Sequence, residues 1–385
     1  MKILWLAPYP LNPEHHPAPW IMMLAREIAG CGHQLMIVTP SSKIKEPIIY
    51  DTGLGYQVTA LPYQGGLVHL LTLFGTQIRA IRRYLGKYAQ NYDIIHVHGT
   101  EIQLASSLIG PLMKTPFVIS IQGIISLYLK ALPEWLSKRR LYWTLTSYHE
   151  KREIRLSNYF FCRTLWDSRF VKQVNPSAVI FKCWELIRSE FFEYSHLFFS
   201  KDILFMGGDN PLKALRHCLR VFNQVAKGRD IKLHIVGSSD LKKILTLSSR
   251  MGLSELGPQN LIVHGRQDAT GIIRIYASCF CLYHPSLIDN SPNSVCEAQV
   301  AGLPVIATSV GGVPDLLEDG QTGLLVQKDD LEGHVSALEK LLDDQTLQRR
   351  LSNNARKLAR NRHDKTMILE RTISAYQNII NRTHA

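Results

Sequence analysis

Two acidic residues, Asp289 and Glu297, stand eight positions apart on either side of Ser291-Pro292. Pro292, followed by Val295, Ala298, Val300 and Ala301, predicts a helix with Ser291 as its N-cap, proline at its first position and Gly302 at its close. The first amides of such a helix, those of Asn293, Ser294 and Val295, have no partner inside it and offer a site for an anion. Asp289 in the loop and Glu297 further along the helix would flank that site and meet hydroxyl groups. A ligand carrying both phosphate and neighbouring hydroxyls suits such a pocket. A turn aspartate and a partly solvated helix glutamate explain the same spacing, which leaves both readings open.

The elements that must hold these residues alternate between strand and helix. Residues 278–283 form an apolar and aromatic run that reads as a strand ended by Pro285. Residues 305–310 form a second buried strand, which leads through Gly311-Gly312 to a helix beginning over 314–318. Earlier, residues 203–206, 232–236 and 261–264 read as strands closed by Gly207-Gly208, Gly237 and Gly265-Arg266, and a helix runs from Lys213 to Ala226. In the first half, a strand over 2–7, a helix over 20–29 and a strand over 33–39 make a βαβ unit, which builds parallel sheets. Residues 93–98, 116–121 and 159–162 continue the series. Period two puts His96 and His98 on one face, with His98 nearest the carboxyl end, where ligands bind in open α/β sheets. Gln122 and Arg163 follow the ends of the next two strands.

The run D-N-S-P-N-S-V-C-E-A, with G-L-P-V-I-A-T, G-G-V-P-D and D-G-x-T-G-L-L-V after it, spans residues 289–326. It resembles the donor-site signature of retaining GT-B glycosyltransferases, family four in particular. The resemblance implies an α/β fold of two Rossmann-like domains facing across a cleft, with the last helix crossing back to the first domain. The expected boundaries are 1–182 for an acceptor-binding domain, 183–363 for a nucleotide-sugar-binding domain and 364–385 for the returning helix. The implied reaction moves a sugar from a nucleotide diphosphate sugar to an acceptor hydroxyl with retention of configuration, without a metal or cofactor. Asp289 would then meet the sugar, Glu297 the ribose, and Lys213 with the amides of residues 293–295 the leaving diphosphate.

Three departures accompany the resemblance. The family usually places an Arg where Gly208 stands in the Gly207-Gly208 turn, so one cation of the diphosphate clamp is absent and Arg266 or Arg163 is expected to supply it. Gln122 replaces a customary His; it can hydrogen-bond a hydroxyl but cannot carry a proton as imidazole does. With His98 it is the first-half candidate for contact with the reacting sugar, and Arg163, in an R-T-x-W-D run, for phosphate or acceptor. The loop after the first strand reads Pro13-Glu14-His15-His16-Pro17 instead of glycine-rich, and its histidines are either loop residues or substrate contacts. A nucleotide-sugar 2-epimerase and a non-catalytic nucleotide-sugar-binding homologue share the architecture and stand as alternatives.

A chain of 385 residues accommodates two domains with their own cores, and 45% apolar residues describe a globular protein. Seven cysteines without a C-x-x-C pair read as reduced thiols, hence a cytoplasmic place, and the N-terminus reads as a strand instead of a signal peptide. No apolar run is long enough to predict a membrane-spanning helix. The net charge is +12, weighted to the first 200 residues, without any nucleic-acid signature, so the inner face of an anionic membrane is the better basic-surface partner. Two stretches bear on that. Residues 65–88 carry a leucine and isoleucine stripe with Arg79, Arg82, Arg83 and Lys87, readable as a membrane-lying or a core-packed helix. Residues 126–156 interleave Tyr128, Trp135, Tyr142, Trp143 and Tyr148 with Lys and Arg, readable as a membrane or lipid-diphosphate face or as helices covering a sheet.

Overall fold

The computed structural model describes residues 1–11, 19–109, 114–133, 137–196 and 200–384. The chain divides into two compact units: residues 1–130, 134–186 and 364–385 form the first, and residues 131–133 and 187–363 the second. The loop holding His15 and His16, and Trp135, lie outside the described residues.

The first unit begins with the βαβ step β1 (Lys2–Leu6), α1 (Pro19–Gly30) and β2 (Gln34–Ser41). Two strands in a stretch without a clear sequence pattern follow, β3 (Ile48–Asp51) and β4 (Gln57–Pro62), then α2 (Gly66–Leu71) and α3 (Gly75–Tyr88). Next come β5 (Ile94–His98), β6 (Phe117–Ser120), α4 (Ile125–Ala131) and α5 (Lys138–Arg155), and then β7 (Tyr159–Cys162), α6 (Leu165–Val174) and β8 (Val179–Lys182). The sheet has the order β3-β4-β2-β1-β5-β6-β7-β8, parallel throughout except for the edge strand β3. One helix was expected over residues 65–88, but Leu73 (φ 50°) and Phe74 (φ 64°) adopt the left-handed conformation and split it into α2 and α3. Periodicity reports which face is apolar and carries no signal for such a break. The fully buried Phe74 supplies the reason: its ring packs on Tyr142 of α5 at 5.1 Å between centroids.

The second unit contains α7 (Glu190–Glu193), β9 (Asp202–Met206), α8 (Leu215–Val225), β10 (Leu233–Val236), α9 (Leu241–Arg250) and β11 (Leu261–Gly265). It continues with α10 (Ala269–Tyr276), β12 (Cys279–His284), α11 (Asn293–Ala301), β13 (Val305–Thr308), β14 (Leu324–Val326), α12 (Leu331–Asp343) and α13 (Gln345–Arg362). Its parallel sheet has the order β11-β10-β9-β12-β13-β14. The helix expected over 314–318 is a single 3-10 turn, Val313–Asp315.

The last helix, α14 (Lys365–His384), belongs to the first unit. It buries Ile368, Thr372, Ala375, Tyr376 and Ile379, a 3–4 spacing. The Tyr376 hydroxyl accepts from Trp5 Nε1 at 3.2 Å and lies 2.6 Å from His96 Nδ1, tying helix to strands within the buried interior. Among the described residues, no helix is long and apolar enough to cross a membrane, and all seven cysteines are free. Tyr376→Phe strands the Trp5 N–H and the His96 ring; chemical denaturation is expected to show a loss of about 1–3 kcal/mol in the first unit.

Candidate functional site

In the second unit the strand order reverses direction between β9 and β12, and open α/β sheets bind ligands beyond the carboxyl ends at such a switch point. The loops leaving these two strands are stitched together by the Leu287 N–H donating to the Leu212 carbonyl at 2.8 Å. Gly207 and Gly208 turn the chain after β9. A Cβ on Gly207 would lie 2.4 Å from Lys213 Cβ, so the glycine gives room to the lysine stem. Gly208 has φ +51°, and a Cβ there would sit 2.6 Å from the Ser238 carbonyl oxygen. The backbone therefore has no place for an arginine at 208.

Lys213 ends a 3-10 turn, Pro211–Lys213, and its Nζ lies 2.5 Å from Asp289 Oδ2. His284 Nε2, at the end of β12, lies 3.2 Å from the same oxygen and 2.9 Å from Ser286 Oγ. Burial works to raise the Asp289 carboxyl, but the Lys213 charge and His284 outweigh it and hold it well below the ordinary carboxylate range. Burial in turn lowers the His284 pKa, so the imidazole is neutral. The Asp289 backbone is clamped as well. Its carbonyl accepts the Gly312 N–H at 2.9 Å, and at Gly311 (φ +58°) a Cβ would fall 1.9 Å from that same oxygen.

Three residues beyond Asp289 the chain enters α11. Here Pro292 itself is the N-cap residue, Asn293 the first helical one, and no side chain caps the helix, which corrects the expected Ser291 cap. Of the three amides expected to be open, the Val295 N–H donates to the Pro292 carbonyl at 3.0 Å. Proline's extended ψ of 121° turns that carbonyl toward the helix, so of the three only the Asn293 and Ser294 amides precede its first hydrogen bond. Glu297 is buried and accepts from Arg188 Nε at 3.0 Å and Nη2 at 2.8 Å, while Arg188 stacks on Phe191 at 4.9 Å. Burial lifts the Glu297 carboxyl to about 7, against the pull of the guanidinium. Arg266 is exposed just past β11. Its neighbour Gly265 accepts the Gly237 N–H at 2.8 Å, and Gly237 abuts Gly208, so Arg266 stands on the Lys213 side of the sheet ends.

The remaining candidates gather in the first unit. His98 is buried between Trp5 (4.3 Å), Trp20 (5.5 Å) and His96 (3.9 Å), and burial pushes its pKa down to about 3. The shared face expected for His96 and His98 is present as this ring stack. Arg163 Nη2 bonds Gln122 Oε1 and lies 2.5 Å from Glu185, in an enclosed position. His98, Gln122, Arg163 and Glu185 line a cavity of about 20 Å³, room for a single water. Beside them Glu101 Oε1 accepts the Gly123 N–H at 2.6 Å, and burial raises its carboxyl to about 7.

The structure thus brings Gly207, Gly208, Lys213 and Asp289 together in the second unit, leads from them into the start of α11, and within the first unit gathers His98, Gln122 and Arg163. Sequence reading missed Arg188, His284 and Glu185 as partners. Arg188 lies 109 positions from Glu297, and only the folded chain joins them.

Lys213→Ala leaves the half-buried Asp289 with His284 and Ser286 but without its cation. It is expected to cost roughly 2–3 kcal/mol at neutral pH, less than a fully buried pair because both side chains are partly exposed. The Asp289 carboxyl is lowered on folding, so its contribution is present above its unfolded pKa of about 3.9 and vanishes as pH falls through the folded value. Denaturation of the variant and parent should therefore converge on strong acidification.

Two family models divide the chain between them: residues 194–358 match glycosyl transferases group 1, and residues 20–164 match glycosyltransferase family 4. The capsular polysaccharide biosynthesis glycosyltransferase CapM of Staphylococcus aureus is 28% identical over 156 residues, 40% of each chain. The chain spans under half the length of such curated relatives. Sucrose-phosphate synthase of Thermosynechococcus elongatus superposes with a TM-score of 0.79 at 16% identity over 99% of both chains. Anabaena HepE, solved with UDP-glucose, gives 0.69 at 16% identity, over 97% of this chain and 100% of its own. Its two halves matching those two models in order, on two parallel-sheet α/β units, the chain belongs to the family-four, group 1 glycosyltransferases of GT-B fold.

Proposed function

We propose that the protein moves a sugar from a nucleotide diphosphate sugar to a hydroxyl of a carbohydrate or lipid-linked acceptor, with retention and without a metal. The setting is synthesis of cell-envelope polysaccharide or glycolipid, in the cytoplasm at the inner face of the membrane. Residues 183–363 would hold the donor, residues 1–182 the acceptor, and 364–385 return to the latter. One observation carries the reading: the Lys213–Asp289 pair stands at the switch point of the second sheet, directly ahead of the open amides of α11.

In this reading Lys213 and the Asn293 and Ser294 amides receive the diphosphate, and Arg266 supplies the cation for which Gly208 leaves no space. Asp289, kept ionised, accepts hydrogen bonds from the sugar hydroxyls. Glu297, aimed by Arg188, accepts from the ribose once ionised. The bond between anomeric carbon and phosphate oxygen breaks as the acceptor oxygen approaches the same face, and the acceptor proton passes to the departing phosphate. Electrostatic stabilisation of that phosphate is the protein's main contribution.

A second reading, binding of nucleotide sugar without transfer, draws on Gln122 in place of an imidazole and on Arg163 held by Glu185. Incubation with an acceptor panel separates the two, and NMR of the product's anomeric centre tests retention.

Thermal shift against nucleotides and nucleotide sugars is the primary test, since a ligand of the folded state raises the melting point with occupancy. Lys213→Ala is expected to weaken binding of the diphosphate about tenfold or more, and Glu297→Ala to weaken binding of the nucleoside part. Affinity should rise with pH through about 7 as Glu297 ionises. A flat melting curve with every nucleotide would sink the assignment. Arg266→Ala is expected to lower turnover roughly 100-fold, and unchanged turnover would remove it from the clamp.

A further inference from the structure

Every polar side-chain contact to the Asp289 carboxylate falls on one of its two oxygens. Oδ2 meets Lys213 Nζ at 2.5 Å, His284 Nε2 at 3.2 Å and the Ser286 hydroxyl at 3.5 Å. Among the described residues nothing bonds Oδ1, and that oxygen is not buried. An aspartate left to itself does not choose between its oxygens, because its terminal torsion is broad and close to two-fold. The backbone clamp at Gly311 and Gly312 places the residue but leaves that torsion open.

His284 is the group that closes it. It ends β12, pairs in register with Ala307 of β13, and is 2% exposed. Residues 279–283 before it in the strand are buried and carry apolar or aromatic side chains, so the imidazole is the one strand residue turned to polar work. Its Nε2 also lies 2.9 Å from Ser286 Oγ. An ionised carboxylate only accepts, so Nε2 carries the ring proton, and the Ser286 O–H is directed to the same Oδ2. Lys213 cannot fix the carboxylate alone. Its ammonium is a point charge on a flexible stem with three donors, and the proposed function shares it with a diphosphate. When the lysine turns in part to phosphate, His284 and Ser286 still hold Oδ2.

We infer that His284 is a positioning residue of the donor site: with Ser286 it pins Asp289 Oδ2 and so presents Oδ1 to a hydroxyl of the donor's sugar. The inference rests on the reading of Asp289 as the sugar contact and adds how that contact is aimed. Recognition then runs through Oδ1 alone, not through a carboxylate edge spanning two hydroxyls. A carboxylate free to turn would offer the sugar an oxygen already occupied, and small errors of placement at a reacting centre are costly.

The test is calorimetric titration of the full chain with UDP-glucose and UDP-N-acetylglucosamine against UDP, and with GDP-mannose against GDP. In the parent, a sugar nucleotide is expected to bind more tightly than its own diphosphate. His284→Phe keeps a ring but loses the N–H; it is expected to weaken that sugar nucleotide roughly tenfold and to leave the diphosphate within about twofold. His284→Gln, whose amide reaches the place of Nε2, should restore most of the affinity. His284→Asn, whose amide falls short of it, should not, and it carries the test should the Phe variant fail to fold. Equal losses for sugar nucleotide and diphosphate, or equal losses in the Gln and Asn variants, mark a merely structural residue and overturn the inference. Unchanged sugar-nucleotide affinity in the Phe and Asn variants overturns it as well. A parent that binds diphosphate and sugar nucleotide alike overturns this inference alone, whereas a parent that binds none of the five ligands overturns the sugar-transfer reading and this inference with it. Without any ligand, nitrogen NMR of the parent, assigned against the His284→Gln spectrum, should find the ring proton on Nε2; a proton on Nδ1 instead removes the bond on which the inference stands.

Discussion

The ion pair between Lys213 and Asp289 organises the second unit's functional end. A buried or half-buried pair is weak evidence for stability, since removing two charges from water costs about as much as their attraction returns. The surrounding structure nevertheless serves this pair. Gly207 clears the lysine stem, Gly311 and Gly312 clasp the aspartate backbone, and the Leu287–Leu212 hydrogen bond holds the two loops in register. Such investment of backbone geometry suits a pair of charges held ready for a polar ligand.

Asp289 and Glu297 show how environment divides roles between like residues. The aspartate has a lysine and an imidazole on the same oxygen and is held ionised. The glutamate has a guanidinium but deeper burial, and its carboxyl titrates at about 7. Two carboxylates eight positions apart thus behave differently, as pairs at functional sites often do. In the first unit Arg163 pairs with Glu185 and Gln122, and His96 with Tyr376 and Ser120, whereas neither ring nitrogen of the buried His98 has a hydrogen-bond partner. His96 and His98 are neutral through burial.

Much of the fold was readable because it rests on local chemistry. Apolar runs ended by glycine or proline marked β1, β5, β9, β12 and β13 to within a residue or two, the run before Arg163 marked β7, and period two put His96 and His98 on a common face. The break between α2 and α3 was not readable, because Leu73 and Phe74 take left-handed backbone angles that neither residue type advertises. Nor was the engaged Val295 amide, which depends on the ψ of Pro292. The absence of an arginine at 208 was visible, but its reason, the close pass of the Gly237-Ser238 backbone, was not.

The sequence by itself determined the alternation of strands and helices, the Asp289–Glu297 spacing and the position of Lys213, since these follow from hydrophobic period and chain order. Tertiary structure alone decided that Lys213 meets Asp289, that Arg188 meets Glu297 and that Glu185 meets Arg163. Each of those contacts joins residues separated by tens of positions or more, and a chain's linear order holds no record of which distant side chains the packing of its sheets will bring within a few ångströms. The same is true of charge: composition announced an excess of basic residues, and only the fold decided that Glu150 and Glu153 would be buried.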